Sequence, residues 1–274
     1  MKTNKWILLL LLVFCSCANN QTPENEWLEK EHNPVQYNEC TTISYGECFP
    51  EVSDKYVYSV VPGTEEWEQF VKTIEDTYKV SQLPNDVLRS ISTPGLIDAL
   101  IHAPAFLGFF IYSVDVKQYN WHSQYGWFNS AGELFQREDA GNALLAYYKL
   151  VNFDCIFNGI AEEKARLVGL ECLFSKHEIL DKMNHEKKKE AVAFILQFYN
   201  INNNSEHLRI SKSDVHFLIS LLVHIMFVDH YEPIVQFAKE HIDDFTYIRE
   251  GFFSPSDPNV WDIMVSFAKN FIKE

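Results

Sequence analysis

Glycine and proline are scarce, at ten of each in 274 residues, which excludes collagen-like and low-complexity chains. Basic residues are outnumbered, 23 Lys and Arg against 38 Asp and Glu, for a formal charge of −15. Such a surface repels phosphate backbones, so nucleic acid is not an expected partner. The one basic cluster, Lys187-Lys188-Lys189, is bracketed by Glu186 and Glu190 and reads as a solvated helix face. No apolar run reaches the roughly 20 residues that span a bilayer. The longest, Val215 to Val228, is broken by His216, Ser220 and His224. Strand signals are as sparse, because Tyr56 to Val61 has suitable residues but stands alone and ends at Pro62-Gly63.

Catalytic signatures are missing too. There is no His-Glu-x-x-His, no Gly-x-Ser-x-Gly, no Gly-rich phosphate loop and no Cys-x-x-Cys, so no zinc protease, hydrolase elbow, nucleotide or zinc-knuckle site is indicated. His216, His224, Asp229 and His230 are close in sequence, but on a helix His216 and His224 are about 80° apart and poorly set to share an ion. Histidines buried and hydrogen-bonded are the expected outcome. Acid pairs such as Glu133 with Asp139, or Glu162 with Glu171, are inevitable among 38 acids and define no hydrolytic site. No metal and no cofactor is expected.

What is present begins at the N-terminus. Met1 to Lys5 is short and cationic, Trp6 to Phe14 is uninterruptedly apolar, and Cys15-Ser16-Cys17 follows. That apolar run rises only about 14 Å as a helix, against a hydrocarbon core of ~30 Å, so residues 1–16 read as an export signal rather than a membrane span. A small residue followed by cysteine at the end of such a run resembles the lipobox of bacterial lipoproteins. Ser16 before Cys17 suits that cleavage and Phe14 before Cys15 is too bulky, so Cys17 is the expected lipidation site. The chain is then exported from the cytoplasm and held to a membrane of the bacterial cell envelope by acyl chains. An ordinary secreted protein cut nearby is the alternative. Residues 17–56, polar and rich in Asn, Glu and Thr, read as a linker.

Removing Cys15 with the signal and assigning Cys17 to lipid leaves Cys40, Cys48, Cys155 and Cys172, an even number in an oxidising compartment. Local separation favours Cys40 with Cys48 and Cys155 with Cys172.

Residues 57–274 read as a single all-α domain of about ten short helices, an irregular multi-helix bundle or helical-hairpin array without a strict repeat. Thr64 is placed to cap a helix whose Trp67, Phe70, Val71, Ile74 and Tyr78 recur on one face. Thr93-Pro94 opens a second, with Leu96, Ile97, Leu100 and Ile101 behind it. Pro104 opens a third, and Ala105 to Tyr112, apolar all round, is the expected centre of the core. Ser130 with Glu133 and Ser175 with Glu178 have capping-box spacing. Ala165, Val168, Gly169 and Cys172 share a face, as do Val192, Ile195, Leu196 and Tyr199. Asp257-Pro258 starts the last helix, with Val260, Met264, Phe267 and Phe271 inward.

Several landmarks resemble an uncharacterised family of exported bacterial helical proteins. They are Pro62-Gly63-Thr64-Glu65-Glu66-Trp67, Ser92-Thr93-Pro94-Gly95-Leu96, Pro104-Ala105-Phe106, and Asp139-Ala140-Gly141 with Leu144-Leu145 and Tyr147-Tyr148. The likeness covers roughly residues 57 to 230. It implies fold and compartment but no activity, cofactor or catalytic residue.

For function, Tyr119 to Phe128 is the sharpest segment. Trp121, His122, Gln124 and Trp127 could form an aromatic platform with polar flanks for a small ligand or glycan. Trp121, Tyr125 and Phe128 also have the spacing of a buried stripe, which leaves Trp127 off the stripe and at the surface. The leading expectation is a non-enzymatic, membrane-tethered module that binds a protein partner in the envelope or outside the cell. A ligand or glycan binder and an envelope hydrolase with an unrecognised site are the alternatives.

Overall fold

The computed structural model describes residues 48–106, 127–159, 161–204, 212–243, 245 and 259–274. Among them the fold is all-α, with thirteen helices and no strand: α1 (Glu65–Phe70), α2 (Ile74–Lys79), α3 (Asn85–Ser90), α4 (Thr93–Ile101), α5 (Asn129–Leu134), α6 (Ala140–Lys149), α7 (Phe153–Asn158), α8 (Ala161–Phe174), α9 (His177–Leu180), α10 (His185–Asn204), α11 (Lys212–Val228), α12 (Glu232–Glu240) and α13 (Asn259–Phe271). The helix α8 packs on α4, α6, α7, α9 and α11, and α11 in turn packs on α9, α10, α12 and α13. These two helices form the axis of the core. Cys17, Cys40, Trp121, His122 and Gln124 lie outside the described residues, as does most of Ala105 to Tyr112, whose first two residues are buried.

Local chemistry explains the helix starts. Ser92 caps α4, its hydroxyl accepting from the Gly95 amide at 3.1 Å, with Pro94 in the first turn. The cap is Ser92 rather than Thr93 because the Thr93 hydroxyl is turned to donate to Asp139 at 2.8 Å. Behind the cap Leu96, Ile97, Leu100 and Ile101 are completely buried. Gly141 allows α6 to approach α9, since a Cβ there would lie 2.8 Å from the Ile179 carbonyl oxygen. Val192, Ile195 and Leu196 on α10, and Val260, Met264 and Phe271 on α13, point inward as their spacing dictates.

Two cations close helix C-termini. Arg137 donates to the Ile91 and Leu88 carbonyls at the end of α3, at 2.7 and 3.2 Å, and Lys182 donates to the Phe135 and Arg137 carbonyls after α5, at 2.7 and 2.8 Å. Carbonyls at a helix end have no partner within the helix and carry partial negative charge, so a half-buried cation satisfies both needs. Arg137→Met is expected to lower stability by about 2 kcal/mol, the loss of charge-assisted bonds to carbonyls that stay partly buried. Urea unfolding with an unchanged dependence on denaturant would show it.

Four expectations are corrected. The stripe from Trp67 to Tyr78 is two helices, because Val71 is extended (φ −99°, ψ 106°) and the Thr73 hydroxyl and Asp76 carboxylate form a capping box that starts α2 afresh. Ser130 is buried within α5 rather than capping it. The Ser175 hydroxyl donates back to the Cys172 carbonyl at 2.8 Å, finishing α8 instead of opening α9.

The third and fourth concern the linker and the cysteines. Among the described residues the chain already packs ahead of residue 57: Cys48 and Phe49 are buried, Val52 and Tyr56 lie on the core, and Asp54 accepts from the Ser92 amide and hydroxyl at 2.5 and 2.8 Å. These bonds to Ser92, with a smaller contribution from the Arg137 charge, hold the Asp54 carboxyl below its ordinary value. Cys48 is joined to Cys155, which excludes Cys40–Cys48. Cys155 lies in α7, and Cys172 in the last turn of the fourteen-residue α8. A helix of that length rises about 21 Å, far more than a disulfide spans. Cys172 is a free, buried thiol, and burial pushes it up to about 12.

Candidate functional site

Of the proposed aromatic platform, Trp127 can be placed. Its ring is about half exposed, at 49%, and stands edge-on to Tyr78 with ring centres 4.3 Å apart. The mount beneath it is built from two side-chain amides. Gln82 Nε2 donates to the Trp127 carbonyl at 2.8 Å while Gln82 Oε1 accepts from the Asn129 amide at 3.0 Å. Asn129 in turn accepts from the Leu83 amide at 2.9 Å and donates to the Leu83 carbonyl at 2.8 Å. Residues 82–83 and 127–129 are thus stitched as two strands would be, by side chains in place of a backbone ladder. Burial pushes the Tyr78 hydroxyl up to about 12, so it stays a neutral phenol beside Trp127 at physiological pH.

Next to this corner lie α1 and α2, in which no side chain is fully buried. Phe70 is 57% and Ile74 62% exposed. Ile74 sits one turn from Tyr78 on α2, so apolar surface runs from Trp127 over Tyr78 to Ile74. In the same two helices and the link between them, Glu65, Glu66, Glu68, Glu75 and Asp76 stand against only Lys72 and Lys79. Lys79 is itself paired with Glu75 and Asp76. Exposed apolar surface rimmed by polar residues is the kind that marks an interaction or ligand-binding site.

The interior also holds polar groups, of which Asp98, His102 and Arg166 carry no motif in the sequence. Asp98, 1% exposed on α4, accepts from the Tyr147 hydroxyl at 3.0 Å and lies 3.2 Å from His102 Nδ1. Arg166 on α8 donates to the Ile101 carbonyl of the same helix end. The Tyr148 hydroxyl donates to buried Glu171 at 2.7 Å. Each link joins α4 or α6 to its neighbour, and desolvation beside a carboxylate drives both tyrosines above their ordinary range. Signals for Asp98 were present, since it interrupts an apolar stripe and His102 follows four residues later.

The histidine group is dispersed. Buried His224 faces His177 of α9, Nε2 to Nε2 at 3.2 Å, a contact in which one ring donates and the other accepts as neutral imidazole. Asp229 sits between His185 at 2.5 Å and Lys188 at 3.3 Å, and His230 turns the chain after α11 with φ 57°. Of the acid pairs, Glu133 binds Arg137 and Glu171 binds Tyr148. Among the described residues no three His, Cys, Asp or Glu side chains gather to hold a metal ion. An open groove lined by Asn184, Lys187, Lys189, Glu190, Ala193 and Ile272 mixes both signs of charge.

Compared with protein-family models, curated proteins and solved structures, the chain matches none of them.

Proposed function

We propose that this protein is a lipid-anchored component of the bacterial cell envelope whose helical domain binds another protein. The observation that carries the reading is the open apolar surface of Trp127, Tyr78 and Ile74, with Phe70 also exposed at the end of α1, built on a frame that holds Trp127 in place. Exposed aromatic and aliphatic side chains of this size are retained at a cost in solubility, and burial against a partner recovers it. The cationic start, the apolar run and Ser16-Cys17 support export and acylation, as does the resemblance of the landmarks from Pro62 to Tyr148 to exported helical proteins. A second reading, a glycan or small-ligand platform, draws on the same Trp127–Tyr78 corner, whose perpendicular rings offer a sugar face and edge together.

Chemical crosslinking in intact cells, with mass spectrometry covering the N-terminal peptide, tests the first reading. The expected result is acyl chains on Cys17 and a reproducible protein adduct that Trp127→Ala reduces at least five-fold. Reduced binding to an oligosaccharide array by the same variant, with no protein adduct, would transfer the weight to the second reading. An unacylated N-terminus would overturn the anchor.

A further inference from the structure

We infer that the partner presents a cationic amphipathic helix and that α1 and α2 are where it docks; the inference rests on the protein-binding reading. Phe70 at the end of α1 and Ile74 at the start of α2 are both exposed on either side of the break at Val71, and Ile74 lies one turn from Tyr78. Apolar surface of that kind is stable in water only when something covers it. Among the described residues no cover is supplied: of Trp67, Phe70, Val71, Ile74 and Tyr78, Tyr78 alone packs on the core, and no residue of α1 or α2 is fully buried. Two helices of six residues each are too short to persist on helix propensity alone, so the Thr64 cap and the Thr73–Asp76 capping box are what hold them. The segment is therefore built as helix yet left without the packing that helix normally requires.

The rim selects the occupant. Five acids against two lysines give the face a negative field, which attracts a cationic segment and raises the rate of encounter. A second copy of the chain is disfavoured, because a two-fold contact would set the same five acids against each other. An anionic lipid surface is repelled by the same charge. What remains complementary is a partner's helix with apolar side chains at i, i+3, i+4 and i+7 and Lys or Arg along its flanks, laid beside the stripe in the manner of helix-in-groove recognition.

Site-specific photocrosslinking tests this. Benzoylphenylalanine is placed at Phe70 in one strain and at Leu150, at least as exposed and capping the far end of α6, in another; crosslinked peptides from intact cells are then sequenced. The expected adduct at position 70 is to a segment of net positive charge with helical apolar spacing. Glu65→Lys with Glu66→Lys and Glu68→Lys should cut its yield at least five-fold, with an unchanged circular dichroism melt because none of the three is buried. An adduct to lipid, to a second copy, to residues 107–126 of the same chain or to an acidic segment would overturn the inference, as would a yield indifferent to charge reversal. Protein adducts from position 150 but not from 70 would sink the inference and leave protein binding standing. No protein adduct from either would sink both.

Discussion

Replacing Cys48 and Cys155 together by serine is expected to remove about 4 kcal/mol of stability, the entropy restored to an unfolded chain by opening a loop of that order of length. The two cysteines are 107 residues apart, so the bond closes a loop holding α1 to α6, and it does so from a buried position. For a domain of this size the loss is a fall in melting temperature of roughly 10 °C, measurable by calorimetry on both forms at one pH. The segment from Phe49 to Tyr58 keeps other holds, among them the Asp54 bonds to Ser92 and the Tyr58 hydroxyl donated to the Ala99 carbonyl at 3.1 Å. The variant should therefore still fold. A fall below 2 °C would mean that the unfolded chain is not constrained as a loop of this length requires.

Removing the carboxylate of Asp98 should cost a comparable amount. Asp98→Ala leaves the Tyr147 hydroxyl and the His102 ring facing an emptied, buried position, and breaking a buried charged contact on one side costs about 3 to 5 kcal/mol. Asp98→Asn keeps an acceptor for Tyr147 and should lose less. The pH dependence separates charge from shape. Burial alone would raise the Asp98 carboxyl, but the His102 hydrogen bond and charge, the Lys55 charge and the Tyr147 hydroxyl outweigh it and hold the group below its ordinary value of 3.8. A carboxyl depressed in the folded state stabilises the fold above the unfolded value, and that contribution disappears as pH falls through the folded one. Between pH 5 and pH 3 the wild-type domain should therefore lose more stability than Asp98→Asn does. Equal acid limbs in urea titrations would show that Asp98 contributes no charge-dependent stability.

Much of the architecture was legible because it depends on periodicity. The stripes of α4, α10 and α13 needed only the spacing of apolar residues, and they are buried where that spacing points, except that Tyr199 and Phe267 are only partly covered. The stripe of α1 and α2 was legible as a pattern but not as two elements, since the break at Val71 is decided by a Thr73–Asp76 capping box that competes locally with helix continuation. Ser130 and Ser175 carried a motif without its role: Asn129, drawn to the Leu83 backbone, lies at the start of α5, and Ser175 found a carbonyl behind it. Disulfide pairing was not legible at all, because which cysteines meet depends on where a fourteen-residue helix carries its far end. Of the candidate surface, Trp127 could be picked out by its departure from a stripe. Its neighbours Tyr78 and Ile74 could not, for they come from a stretch about fifty residues earlier and meet it only through the amide stitching of Gln82 and Asn129.

The Cys48–Cys155 bond also fixes how the molecule carries tension. A pull applied between Cys48 and the helices α8 to α13 crosses the sulfur bridge directly to α7. The polypeptide from Phe49 to Asp154 lies off that load path as a slack covalent loop. Its two most weakly packed helices, α1 and α2, are inside the loop, so the exposed face they carry keeps its shape under a drag that would otherwise unravel them first.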